Sequence, residues 1–186
     1  MAGGERLIAH DNPAEYSKTC VMRDGSQVRL RPIRPEDEPM MAGFHETLSD
    51  ESVHSRYFHL IGLDQRVAHE RLTKVCSPDP GREMAIVAVH TNSAGVPEIL
   101  GVGRMVRLDG GSDAEIAVIV SDAYHHHGLG SELVALLLDI ARREKINRLV
   151  AIILPENHSM QNILRHLGFQ LRYSAEEQAV MAELCM

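Results

Sequence analysis

The sequence predicts one mixed α/β domain, a mostly antiparallel central sheet flanked by helices. Short apolar runs broken by turn residues fill 83–120, the pattern of successive antiparallel strands. A long amphipathic segment, Leu129–Glu144, follows them, and strand and helix periods then alternate to the C-terminus. A length of 186 residues suits one domain, and an apolar content of 44% is enough for one core.

Taken in order, residues 1–20 are polar and aperiodic and read as an N-terminal arm or a loosely docked strand; the domain proper is expected over 21–186. The turn residues Arg23-Asp24-Gly25-Ser26 lead into a strand at Val28–Pro32, where Val28 and Leu30 alternate with Arg29 and Arg31. Pro35 followed by Glu36, Asp37 and Glu38 starts a helix, because proline suits a first turn and carboxylates suit the positive end of the helix dipole. Met40, Met41, Phe44 and Leu48 fall on its apolar face. Ser49 caps a second helix through Tyr57, and Leu63–Val75 forms a third. Strands are expected at Met84–Val89, Glu98–Leu108 and Ala114–Val120, the last two joined by a hairpin turn at Asp109-Gly110-Gly111. After the long helix come a strand at Arg148–Leu154, a helix at Ser159–Leu167 stopped by Gly168, and closing strands at Phe169–Tyr173 and Gln178–Leu184.

Composition narrows the function. With Lys+Arg 19 and Asp+Glu 26 the formal net charge is −7, which disfavours the basic footprint a nucleic-acid partner needs. The longest apolar runs, Leu133–Leu138 and Leu149–Leu154, fall far short of the roughly 18 residues of a membrane span. No secretory signal opens the chain, and the cysteines Cys20, Cys76 and Cys185 form no CxxC pair. A cytoplasmic protein with reduced thiols is expected. Acidity does not exclude a local anion site, since backbone amides bind phosphate without any net positive charge.

Such a site is written at Glu115–Ser131. A buried strand, Glu115–Val120, enters a loop that carries Gly128 and Gly130 and opens the long helix. Small residues allow close backbone approach, and the free N–H groups of a helix N-terminus point outward. An unremarkable strand-to-helix connection would use the same glycines. Gly128-Leu129-Gly130 is two-thirds of a dinucleotide fingerprint, but Leu133 occupies the third glycine's place and the motif lies too late in the chain. The run His125-His126-His127 does not make a metal centre, because consecutive loop residues rarely aim three imidazoles at one ion.

His125-x-x-Gly128-x-Gly130 resembles motif A of the GNAT superfamily of acyl-CoA N-acyltransferases, usually Gln/Arg-x-x-Gly-x-Gly/Ala, with histidine in the first place. Asn157, Met160, Ile163 and Leu167-Gly168-Phe169 resemble the superfamily's later motif. Arg31–Pro39, Leu48–Ser52, Arg56-Tyr57-Phe58, Arg82–Val87 and Ala114–Ala117 look like the catalytic domain of bacterial Pat-type protein lysine acetyltransferases. The resemblance runs from about Val21 to Leu184. It implies a GNAT fold with a splayed cofactor cleft, commonly opened by a bulge. Relatives often carry a cyclic-nucleotide domain or an acyl-CoA-synthetase-like region; 186 residues are too few for either, so that regulation is not expected.

The resemblance further implies acetyl-CoA as co-substrate and a lysine-bearing protein, such as an acyl-CoA synthetase, as acceptor. Backbone groups of Val118, Ile119 and Val120 would hold the pantetheine arm like an added strand. Amides of His126, His127, Gly128, Leu129, Gly130 and Ser131 would hold the pyrophosphate, with His125 at the loop edge. Asn157 would contact the cofactor, and Arg165 would reach its phosphates. Glu115 falls where Pat-type enzymes place the general base. Its alternation with Ala117 and Ile119 on one strand face is unusual for a charged residue, although an outward salt-bridge partner would look the same. Many members place a general-acid tyrosine where this chain has Leu164; Tyr124 and Tyr173 are substitutes by position alone. No cysteine shows a nucleophile's signature. A small-molecule amine acetyltransferase and a non-catalytic acyl-CoA sensor are the competing readings. Acceptor specificity is expected in the early helices, about Glu36–Val75, and around Asp109–Ser112.

Overall fold

The computed structural model describes residues 13–108 and 111–186. Most of the expected arm and the expected turn at Asp109-Gly110 lie outside the described residues. Among those described, eight strands form one sheet in the order β1-β2-β3-β4-β5-β6-β8-β7. The first five are β1 (Lys18–Val21), β2 (Gln27–Pro32), β3 (Glu83–Thr91), β4 (Pro97–Arg107) and β5 (Asp113–Val120), each antiparallel to the one before. The helix α5 (Leu129–Arg143; α1–α4 are placed below) then crosses over to β6 (Arg148–Ile153), which runs parallel to β5. A parallel pair needs such a crossover. After α6 (His158–His166), β7 (Gln170–Ser174) and β8 (Ala179–Cys185) close the sheet, with β8 between β6 and β7.

Strand alternation builds two cores. Leu30, Ile86, Met105, Ile116 and Val120 pack with Leu133, Val134 and Leu137 of α5. Residues of opposite parity, Ala85, Val87, Val102 and Ile119, pack with Met41, Phe44, Val53 and Leu72 from the helices between β2 and β3. The absence of side chains at Gly101 and Gly103 lets α5 settle on β4: a Cβ at either would lie 3.1 Å from a methyl of Leu133 or Leu137.

The element reading from sequence holds to within a residue or two at most boundaries. Lys18–Val21 is a paired edge strand, and Tyr16 and Cys20 are buried in the core, so the sheet begins inside the segment expected as an arm. Helices α1 (Glu38–Glu46) and α2 (Asp50–Tyr57) lie where expected, and Ser49 caps α2 through its Oγ. The third expected helix is instead two, α3 (Leu63–Arg66) and α4 (His69–Cys76), parted at Ala68, whose ψ of 131° is extended. The break accompanies an inward-turned Arg66, 5% exposed, whose Nη1 donates to the His45 carbonyl. A bulge does occur, but between β3 and β4 where Leu100 is unpaired; the β4–β5 ladder is continuous.

The start of α1 is tied to the sheet by a buried bidentate ion pair. Arg31 Nη1 and Nη2 each donate to Asp37 at 2.7 Å, with the side chains 10% and 4% exposed, and the Arg34 amide donates to the same carboxylate. Burial pushes the Asp37 carboxyl up, but the Arg31 hydrogen bonds and the Arg34 amide bring it below the usual value. Asp37→Ala leaves Arg31 buried and unpaired and is expected to destabilise the fold by about 3–5 kcal/mol in urea titrations. Because the folded-state value is depressed, this stabilisation is full above the unfolded value of about 3.9 and is lost as pH falls through the folded one. The mutant's stability should accordingly show a shallower acid limb than the wild type's.

Candidate active site

The sheet forks at Glu115. Between β5 and β6 only Asp113↔Arg148, Ala114↔Leu149 and Glu115↔Val150 are paired. Beyond them β5 stays on β4 to Val120, while β6 stays on β8 to Ile153, so the two strands separate. A cavity of about 330 Å³ lies along the fork, lined by Val118, Ile119 and Val120 of β5, by α2, and by the start of α6. A smaller cavity of about 40 Å³ lies between the strands, lined by Glu115, Ala117, Ala151, Ile153 and Leu164. Ser55, Arg56, Val118, Asn157 and Met160 line both and join them. Glu115 is half-buried on the last rung of the ladder.

The glycine loop closes the wide end of this cleft. Gly128 adopts φ 93°, a left-handed conformation that favours glycine, and stands as the N-cap of α5. His126 is also left-handed, φ 63°, and its carbonyl accepts from Arg23 Nη1 at 3.0 Å. Among the described residues the amides of His126 through Ser131 donate to no backbone carbonyl. They form a cluster of free donors at the positive end of a 15-residue helix. His126 and Gly130 line the cavity. Leu129 turns its side chain into the core.

The histidines divide their work. His125 also lines the cavity, but its Nε2 lies 3.0 Å from the Val120 carbonyl, so its imidazole is tied back to the end of β5. His127 packs edge-on to Tyr124, ring centroids 6.1 Å apart, near Asp24. The rings of His125 and His126 meet edge-on, centroids 6.3 Å apart, while that of His127 turns to Tyr124.

Asn157 caps α6, its Oδ1 accepting from the Met160 amide at 3.1 Å, while the residue lines both cavities. Arg165 lines neither cavity; its guanidinium hydrogen-bonds Asn162 and Gln161 on its own helix. Leu164, at the general-acid position, is 1% exposed against the small cavity. Of the two substitute tyrosines, Tyr124 lines the large cavity, and Tyr173 is 61% exposed on the edge strand β7. Burial pushes the Cys76 thiol up to about 11, which makes it a poor nucleophile.

The early helices, where acceptor specificity is expected, reach the cleft through α2. Glu51, Ser52, Ser55 and Arg56 form one of its walls. The mark of this wall in the sequence is Arg56-Tyr57-Phe58, one of the stretches that carry the likeness to Pat-type domains. Asp122 fastens this helix to the loop after β5, accepting from the Ser49 amide at 2.9 Å, Ser49 Oγ at 2.6 Å and Ser52 Oγ at 2.9 Å.

A sheet forked beside a parallel junction, with an amide-lined helix start at its mouth, defines a GNAT-type acyltransferase fold. Residues 27–170 match the model of the acetyltransferase (GNAT) domain, and the chain belongs to this family of acetyltransferases. Over 146 residues it is 28% identical to acetyltransferase PA5475 of Pseudomonas aeruginosa, covering 78% of this chain and 76% of that protein. It is 30% identical over 165 residues to acetyltransferase Pat of Mycolicibacterium smegmatis, covering 88% of this chain but only 46% of that protein's length. Among solved structures, the GNAT domain of S. lividans PAT matches with a TM-score of 0.82 and 27% identity, covering 95% of this chain and all of that one. Mycobacterium smegmatis RimJ in complex with CoA-disulfide shares the fold, with TM-score 0.72, 19% identity, and 91% and 86% coverage.

The Asp122 anchorage is testable by itself. Burial pushes its carboxyl up, but the bonds from Ser49 and Ser52 bring it below the usual value. The anchorage is thus full at neutral pH and weakens as the carboxyl protonates in acid. Asp122→Ala is expected to cost about 1–3 kcal/mol in denaturant titrations. Amide exchange should quicken over Asp50–Tyr57 in that variant, with α5 unaffected.

Proposed function

We propose that the chain is an acetyl-CoA-dependent N-acetyltransferase that acetylates lysine side chains of proteins by direct transfer, with Glu115 as general base. The observation that carries this reading is the position of Glu115. It stands at the apex of the fork, in a small cavity continuous with a cleft that ends at free helix amides. The residues fit the co-substrate from end to end. Amides of His126, His127, Gly128, Leu129, Gly130 and Ser131 hold the pyrophosphate, and Val118, Ile119 and Val120 offer backbone groups to the pantetheine arm. Asn157 has its side-chain N–H groups left to donate after capping α6. His125 secures the end of β5 and leaves the phosphates to the backbone.

Acetyl-CoA supplies an activated thioester carbonyl. Glu115 takes the proton from the lysine amine as its nitrogen bonds to that carbonyl carbon. A backbone N–H of Val118–Val120 offsets the negative charge developing on the carbonyl oxygen. The C–S bond then breaks, and the CoA thiolate departs without an acid, in keeping with Leu164 at the acid's usual place. Likeness to the Pat proteins supports a protein acceptor, an acyl-CoA synthetase being the kind the resemblance implies. The free, buried thiols of Cys20 and Cys76 are in keeping with a cytoplasmic setting.

Incubation with acetyl-CoA and a cell lysate, followed by mapping of acetyl-lysine, tests the acceptor class. Glu115→Gln is expected to lower kcat by about 10²–10⁴-fold while leaving CoA affinity within about twofold by calorimetry. Unchanged turnover would remove Glu115 from the chemistry. Acetylation of small amines alone would favour the small-molecule reading, and CoA binding without any transfer would favour a sensor.

A further inference from the structure

On the wall of the fork contributed by α2, Arg56 stands with the carboxylate of Glu51 and with Ser52 and Ser55. Arg56 of α2 and Arg71 of α4 lie on the Tyr57 ring, their guanidinium carbons 5.0 and 5.2 Å from its centroid. Arg104 of β4 stands opposite Ala117, diagonal to Glu115 on the same sheet face, and donates to the Val75 carbonyl at 2.9 Å. Beneath them, burial together with Arg66 and Arg71 pushes the His45 imidazole down to about 4, so it stays neutral.

Arg56 lines both cavities, and among the described residues its guanidinium has neither a hydrogen bond nor an ion pair. Arg104 has Glu83 at 3.8 Å, whereas Arg56 has only the more distant charge of Glu115. An unpaired, half-buried guanidinium is costly to keep, and its planar fork of donors suits a carboxylate held by two parallel bonds. Contact with the Tyr57 ring helps to hold the guanidinium in place in advance. Glu115 cannot be the permanent partner if it is to collect a proton. A second cation carried beside the reacting amine would meet the Arg56 guanidinium, of its own sign.

We infer that Arg56 is the anchor for a carboxylate carried by the acceptor beside its reacting amine, so that the preferred target is a lysine flanked by an acidic residue. This rests on the lysine-acetylating reading above and adds to it the chemistry of recognition. The shared feature is a carboxylate at Arg56, which an acidic acyl chain would also present. Three peptides differing only in an Asp, Asn or Lys next to the acceptor lysine separate these sources, each assayed with acetyl-CoA and with succinyl-CoA.

Wild type is expected to acetylate the Asp peptide with a kcat/KM about tenfold above the Asn peptide, and the Lys peptide lowest. Arg56→Gln should bring Asp and Asn peptides within about twofold of each other with CoA affinity retained. Arg56→Lys, which keeps the charge but not the fork, should fall between. Equal use of Asp and Asn peptides by wild type, or a preference that survives Arg56→Gln, overturns the assignment. So does a preference for succinyl-CoA over acetyl-CoA that Arg56→Gln abolishes, because the anion then rides on the acyl group. If wild type binds CoA yet acetylates no lysine, the acetyltransferase reading fails and the anchor falls with it. Neutral peptides acetylated as well as acidic ones would sink the anchor alone.

Discussion

Everything in the cleft depends on a parallel junction that is only three residue pairs long. The sheet is in effect two antiparallel blocks, β1–β5 and β6–β8–β7, each paired outward along its inner strand. Had β5 and β6 stayed paired to their ends, the edge of β5 beyond Glu115 would be occupied and the cavity between the strands would be closed. Because the outer ladders are complete, the separation loses only the inner one, and the edge of β5 over Val118–Val120 borders the cavity, with the Val120 carbonyl held by His125. An open strand edge is normally a liability. Here the walls supplied by α2 and α6 shield it, and an extended ligand is the natural complement.

The second requirement is that the three walls keep register with one another. Asp122 does this for α2, gathering three donors from Ser49 and Ser52 onto the loop that leaves β5. Asn157 does it for α6 by capping the helix at the point where the two cavities meet. On α5 the small size of Gly130 is what admits the neighbour, since a Cβ there would stand 3.1 Å from the Ile163 methyl. Capping, anchoring and close packing thus converge on the same few residues that border the cleft.

Much of this was legible in the chain because its signals are local. Alternation of Val28, Leu30 and the strands of 83–120, the proline and acids at Pro35–Glu38, and Ser49 as a cap each act over a few residues, and each appears where read. The glycine loop and its helix were legible for the same reason. What stayed hidden is tertiary. The break at Ala68 accompanies Arg66 turning toward the His45 carbonyl, a partner 21 positions away. The separation of β5 from β6 comes from pairing that stops, with no bulge in β5 to announce it. Nothing in the sequence announces the bond of His125 to the Val120 carbonyl, or those of Arg165 to Gln161 and Asn162. Arg56 belongs to the stretch Arg56-Tyr57-Phe58 that carries the likeness, but its surroundings come from Tyr57, Arg71 and Glu115 on three elements.

The protein's net charge of −7 therefore describes none of its binding surfaces. At the loop, negative charge would meet neutral amides whose orientation is set by a left-handed Gly128 and by the dipole of α5. Such a site keeps its donors at any pH and needs no cation from His125. At the wall of α2, negative charge would meet the Arg56 guanidinium held against a tyrosine ring, where strength depends on exclusion of water. The first device tolerates an acidic protein because it is made of backbone. The second tolerates it because Arg56, although Glu51 lines the same cavity and the charge of Glu115 reaches it, has no ion pair among the described residues. A carboxylate introduced at Ser55, which lines both cavities beside Arg56, would pair with that guanidinium and close off the acceptor side. The amides around Gly128 would be untouched, so the two ends of the cleft can be varied independently.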